Sequence, residues 1–294
     1  MWCRTSCSAP RPALSGSALI VDYVLTISIS VAAGVDALFS HMPAEFHGIK
    51  LWTGTLVLFV LLMLNLRGFR ESVGMLAAIL GVFLATHAVV LAVALLSNAS
   101  QIRGIVGGAQ ESLRSDLADP KIGFVAILFL FLRGYSLGGG TYTGIESVAN
   151  ATNIMRAPVV RTAKRTMLYM SISLAVLAAG ILICYVLTGV RPEPGKTLNS
   201  VLVDRVVGPW GFLGMPLGHW LAVVTIFSEA ILLFLAAQAG FTGGPRVMAG
   251  MAVDSWLPHR FAALSERLTM RNGIVLMGFA AFVVYYEMGG ASRS

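Results

Sequence analysis

Charge is scarce in this sequence. Only 12% of its 294 residues are Asp, Glu, Lys or Arg, whereas 56% are apolar. Soluble domains carry about twice that share of charge, roughly 25%, so a water-exposed globule is excluded. Cysteine is nearly missing as well. Cys3, Cys7 and Cys184 fit neither a paired disulfide framework nor a zinc spacing, and Cys184 falls inside an apolar run. No nucleophile–base pair stands at a familiar spacing, no HExxH is present, and the one glycine run does not follow a strand. An enzyme reading therefore has no support, and no resident cofactor is expected. Strict two-residue alternation is absent too, which excludes a membrane β-barrel.

What the sequence has is long apolar runs. A helix needs roughly 20 such residues to cross a bilayer. Seven stretches reach or approach that length: about 14–40, 50–66, 73–96, 122–150, 166–188, 218–240 and 273–286. Mean hydropathy is +0.79. The reading is an all-α integral membrane protein with about seven transmembrane spans. Residues 1–13 precede a single transmembrane domain over 14–286, and 287–294 form a tail. Arg4 and Arg11 ahead of the first run imitate a signal peptide, but the run continues to about Phe39 with no small-residue cleavage site at the right distance.

The net charge of +7 would suggest nucleic acid in a soluble protein. Here the bases lie in short connections and act as topology signals, so the expected partners are the lipid bilayer and a small substrate, with no nucleic acid. The amino-terminal segment with 67–72, 151–165 and 241–272 holds twelve Lys and Arg, against seven in 41–50, 97–121 and 189–217. The first set is expected to be cytoplasmic. This gives a multi-pass protein of the plasma membrane with its amino terminus inside. In the stretch MAGMAVDSWLPHRFAAL, apolar residues at helical spacing before Pro258 predict a separate short amphipathic helix on the inner face.

The fourth run is unusual. FLFLRGYSLGGGTYTGIESVAN, residues 129–150, is interrupted by Gly138, Gly139 and Gly140 and then resumes with Thr141, Thr143 and Glu146. An interrupted span leaves backbone N–H and C=O groups unpaired in hydrocarbon, at several kcal/mol each, so it persists only where it lines a cavity or binds something. Discontinuous helices of this kind mark transporters. Glu146 strengthens the reading, since a carboxylate at membrane depth is functional by default.

Two pairs of oxygen donors stand out. Asp22 and Thr26 are four apart in the first run, hence on one helical face, with Ser30 a turn further; Thr143 and Glu146 are three apart, just beyond the glycines. Together with carbonyls freed by the break they would form an all-oxygen site, suited to alkali or alkaline-earth cations or to protons. A desolvated carboxylate there would also bind protons more readily. The competing reading solvates Asp22 near the cytoplasmic surface, bonds Thr26 and Ser30 back to their own helix, and gives Glu146 an interhelical hydrogen bond. Arg133, His87 and Glu229 read as structural polar groups rather than substrate contacts or relays. Gly34, and Gly140 with Gly144, fit close helix packing.

At these residues a resemblance enters. ALIVDYVLTISISVAAGVDAL, NLRGFRES, TYTGIESVAN with MRAPVVRTAKRTM, and GPRVMAGMAVDSWLPHRF with SERLTMRNGI are similar, in this order, to permeases of the amino acid–polyamine–organocation (APC) superfamily. The branch they most resemble is that of KUP-type potassium–proton symporters. The resemblance spans about Ser17 to Phe282. It implies a partial APC/LeuT-type inverted-repeat bundle covering family helices three to nine, with the interrupted span as the sixth. In the potassium branch, the motif positions that fall on Asp22, Thr26, Thr143 and Glu146 contribute to cation sites, so the resemblance implies potassium at these four, with potassium or proton as transported or coupling ion.

The ends of the chain and the GFTGGPRV stretch depart from the family pattern. The expectation that follows is a truncated form holding about half of each side of the binding site. Function is accordingly read as potassium uptake coupled to protons. The alternatives are an amino acid permease of the same fold and a transport-inactive membrane fragment.

Overall fold

The computed structural model describes residues 11–68, 73–118, 123–138, 148, 155–211, 216–265 and 269–291. Among the described residues all regular structure is helical. Apolar runs have no other option in hydrocarbon, because only a helix pairs its backbone groups within one segment. In chain order the helices are α1 (Arg11–Phe39), α2 (Lys50–Leu66), α3 (Val73–Ser97), α4 (Ile102–Ala118), α5 (Gly123–Gly138), α6 (Val159–Thr188), α7 (Leu198–Val207), α8 (Leu217–Val253) and α9 (Arg271–Ala291). Among the described residues six stretches are long and apolar enough to span: Leu14–Phe39, Ala44–Leu66, Gly74–Ser97, Val159–Thr188, Leu217–Val253 and Arg271–Gly289. The interrupted run contributes a shorter apolar helix, Gly123–Ser136.

Two helices stand in stretches that sequence reading treated as connections. In α4, Glu111, Arg114 and Asp116 are exposed, and none of its described side chains is buried. By contrast α7 is short but buries Ser200 through Val203 and Val207. It starts at Thr197, whose side chain accepts a hydrogen bond from the Ser200 amide at 3.2 Å, the usual N-cap arrangement.

The chain divides into two units, Met1–Ile79 with Glu229–Ser294, and Leu80–Ser228. In the first, one face of α1 supplies Tyr23, Ile27, Val31 and Val35, four apart and therefore stacked. They pack with Phe241, Met248 and Met277 in a common core. Lipid is as apolar as leucine, so little hydrophobic force pulls such helices together, and close van der Waals fit must do it. Glycine permits that fit. A Cβ at Gly240 would lie 2.6 Å from Ile27 Cγ1, and one at Gly243 would lie 2.5 Å from Tyr23 Cζ. Gly34 reciprocates from α1, beneath the ring of Phe234, which is the packing role its sequence context suggested.

The expected separate amphipathic helix after residue 240 does not form. Instead α8 continues to Val253 with Pro245 inside it. Met248 and Ala252 are fully buried, so the helical spacing read from the sequence is the continuation of a span. The helix stops at Ser255, which takes a left-handed φ of 63°. There the Trp256 amide bonds back to the Met251 carbonyl at 2.9 Å.

In the second unit α6 ends at Gly189, with φ 61° and ψ 36°. Arg205 of α7 donates to the carbonyls of Thr188 and Gly189 at 3.1 and 2.9 Å. A cation thus meets the orphan acceptors and the negative dipole end of α6. Tyr185 donates to Asn199, tying the same two helices.

One buried polar pair crosses the first unit. Asn65 Nδ2 donates to Gln238 Oε1 at 2.7 Å and to the Leu61 carbonyl at 2.8 Å, and Gln238 Nε2 donates back at 3.3 Å. Either Asn65→Leu or Gln238→Leu would strand the other amide, and each is expected to destabilise the protein by about 1–2 kcal/mol. Asn65→Leu with Gln238→Leu should cost less than the two singles added. Thermal unfolding in detergent micelles checks this, and simple additivity would refute the pairing.

Candidate functional site

The described part of the site is the flank of α1 that points away from its core. Tyr23 and Ile27 lock one side of the helix into the first unit. Asp22 lies roughly opposite that side and is exposed; Thr26, one turn on, is half-buried, as is Ser30. The four-residue spacing therefore stacks a carboxylate over a hydroxyl on one flank, as the sequence implied. Tyr23, Ile27, Ser28 and Val31 are all buried, so the exposure of Asp22 belongs to its flank and not to a loosely held helix.

Chemically, a carboxylate and a hydroxyl are hard oxygen donors. Stacked on a rigid helix they can hold a dehydrated monovalent cation, an ammonium group or a proton. Among the described residues no group of three or more His, Cys, Asp or Glu comes together.

On the interrupted run, Gly138 is the last residue of α5 and is exposed. Arg133, five residues before it, is exposed. Gly139, Gly140, Thr143 and Glu146 lie outside the described residues, as does Gly144.

Of the remaining polar candidates, His87 has a local partner. His87 is buried in α3, with Nδ1 2.9 Å from the Phe83 carbonyl and its ring 4.0 Å from that of Phe83. Glu229 is half-buried on α8. Asp36, near the end of α1, pairs with Lys50 at the start of α2 at 2.5 Å, bracing the short connection between them.

Sequence reasoning missed two polar elements of the first unit. Ser28 is buried, and its one proton is shared between the carbonyls of Val24 at 2.9 Å and Ala281 at 3.0 Å. The Asn65–Gln238 pair is the other. Both could have been flagged by the single rule that a polar side chain inside an apolar run needs a partner.

Comparison with known proteins gives a consistent result. The family described as amino acid permease matches residues 1–291. The potassium transporter KimA of Bacillus subtilis (strain 168) is 33% identical over 280 residues, which is 95% of this chain and 43% of that protein. The chain spans less than half the length of that relative.

Labelling can test the flank. In a background with Cys3, Cys7 and Cys184 changed to serine, Asp22→Cys is expected to react with a membrane-impermeant maleimide while Tyr23→Cys stays protected. Equal protection of both would set Asp22 against lipid and remove it as an ion ligand.

Proposed function

The chain belongs to the amino acid permease family, within the APC superfamily, and from that premise we propose that it carries the cation-handling part of a secondary transporter taking up potassium together with protons. Both the family and the relative are transporters, and the chain is a multi-pass membrane protein. The observation that carries the reading is the Asp22–Thr26 stack, held by a buried α1 face and turned out of the core, in a chain similar to a potassium transporter.

In this reading Asp22, Thr26, Thr143 and Glu146 replace the water oxygens around potassium. The carboxylates supply the charge, and the hydroxyls and helix-end carbonyls complete the shell. The interruption at Gly138, Gly139 and Gly140 provides those carbonyls, because a broken helix exposes acceptors that an intact one uses internally. Proton coupling follows from the same acids. For the two ions to enter together they must be carried at the same time, so one acid would take up a proton from the outer side while the other, with the hydroxyls, holds the potassium. Both would then be released on the cytoplasmic side. The basic residues of 151–165 set that side, with the amino terminus inside and the plasma membrane as the location.

A second cargo has one specific support, the description of the matching family as amino acid permease. An ammonium group could occupy the same oxygen shell. Competition separates the two: amino acids that inhibit uptake where potassium does not would favour this cargo.

The test of the first reading is uptake in cells or vesicles that have no other potassium entry. Glu146→Gln or Asp22→Asn is expected to lower potassium uptake by about tenfold or more, the equivalent of about 1.4 kcal/mol. Thr26→Val should lower it less. Unchanged uptake in both acid variants would overturn the site.

A further inference from the structure

Helices α2 and α9 run antiparallel within the first unit. Gly278 meets Leu62, Tyr285 meets Gly54 and Gly289 meets Leu51. Two cavities follow one another along this pair. The first, of about 740 Å³, opens where α2 ends and α9 begins. Arg67 and Arg271 line it beside the hydroxyls of Ser265 and Thr269, with Met63 and Leu66 as its apolar wall. Its described lining holds two guanidinium groups and no carboxylate. The two hydroxyls are 2.7 Å apart and occupied with each other, so the arginines are the main ligands available.

The second cavity, of about 520 Å³, begins one turn deeper at Leu62 and continues past Phe59 and Phe279 to Phe282 and Trp52. Apart from Thr55 its lining side chains are apolar. Leu62 to Trp52 is ten residues, about 15 Å of helix. That is half of the roughly 30 Å hydrocarbon layer, or the depth of one leaflet.

We propose that the α2–α9 groove binds one anionic phospholipid of the cytoplasmic leaflet, its phosphate held by Arg67 and Arg271 and one acyl chain seated between Leu62 and Trp52. Phosphate oxygens match the planar fork of arginine. The basic bias of 67–72 and 241–272 puts this end of the helix pair on the inner side, where anionic lipid is concentrated. Bulk lipid covers any apolar helix by van der Waals contact alone. At this groove two cations stand over a channel of chain length, so charge and shape select the same molecule.

The proposal is independent of the transported cargo and is tested without transport. Native mass spectrometry of the purified full chain would compare dioleoyl phosphatidylglycerol with dioleoyl phosphatidylcholine. Phosphatidylglycerol should be retained at least about tenfold more tightly. Arg67→Gln and Arg271→Gln should each weaken it about five- to tenfold, while Arg161→Gln, an equal loss of charge on the same side, leaves it unchanged. Thr55→Trp, which fills the groove and leaves both arginines, should also weaken retention. Circular dichroism and gel filtration confirm folding, and Arg271→Lys provides a charge-preserving variant that loses the fork and should bind at an intermediate level. Equal binding of both lipids, an equal loss in Arg161→Gln, or undiminished retention in Thr55→Trp would overturn the proposal. So would displacement by millimolar inorganic phosphate, which would assign the arginines to a soluble anion.

Discussion

Backbone proximity is the constraint on which the first unit depends. Inside a membrane, helices gain little by leaving lipid for one another, so the attraction that remains is short-ranged and falls off within an ångström or two. Gly240 and Gly243 on α8 let Ile27 and Tyr23 of α1 come within that range, and Gly34 does the same for Phe234 in the opposite direction. Larger residues at these points would hold the helices apart. The core of Val31, Val35, Phe241 and Met248 would then lose its contacts together and not one at a time.

With that face fixed, polar groups in the same unit sort into two kinds. Ser28, Asn65 and Gln238 are buried and joined to partners across helices. They give directional register to a contact surface that van der Waals packing alone would leave free to slide. Asp22 and Thr26 are turned to the other flank of α1, where no such register is needed. One helix therefore carries its packing polarity on one side and the proposed ligands on the other, so that in the proposed reading an ion would be met without loosening the packing.

Much of this was legible in the sequence, and the gaps have physical causes. The helical class followed from apolar runs without alternation, and the packing role of Gly34 followed from its place on an apolar face. The stack of Asp22 over Thr26 required only the helical period. The true length of α8 was hidden because glycines and Pro245 end helices in water, whereas a membrane core of neighbouring helices tolerates them. Helices α4 and α7 were hidden because short, mixed-polarity segments carry little periodic signal; α7 declares itself only through Thr197 and the buried run from Ser200 to Val203. Cargo is not legible at all in such a site, since potassium and an ammonium group ask for the same oxygens. The expected ligands Thr143 and Glu146 lie outside the described residues, so the half of the site that was read from an interrupted run rests on the sequence and the family.

Pro245 within α8 has a mechanical meaning. Lacking an amide hydrogen, it removes the rung that would join it to the carbonyl of Phe241, and its ring crowds that carbonyl. Thr242 turns its own hydroxyl to the Ala239 carbonyl at 2.9 Å, adding a second local competitor for backbone acceptors. Hydrogen bonding along this 37-residue helix is thus uneven by construction, with its sparsest rungs near residues 241–245.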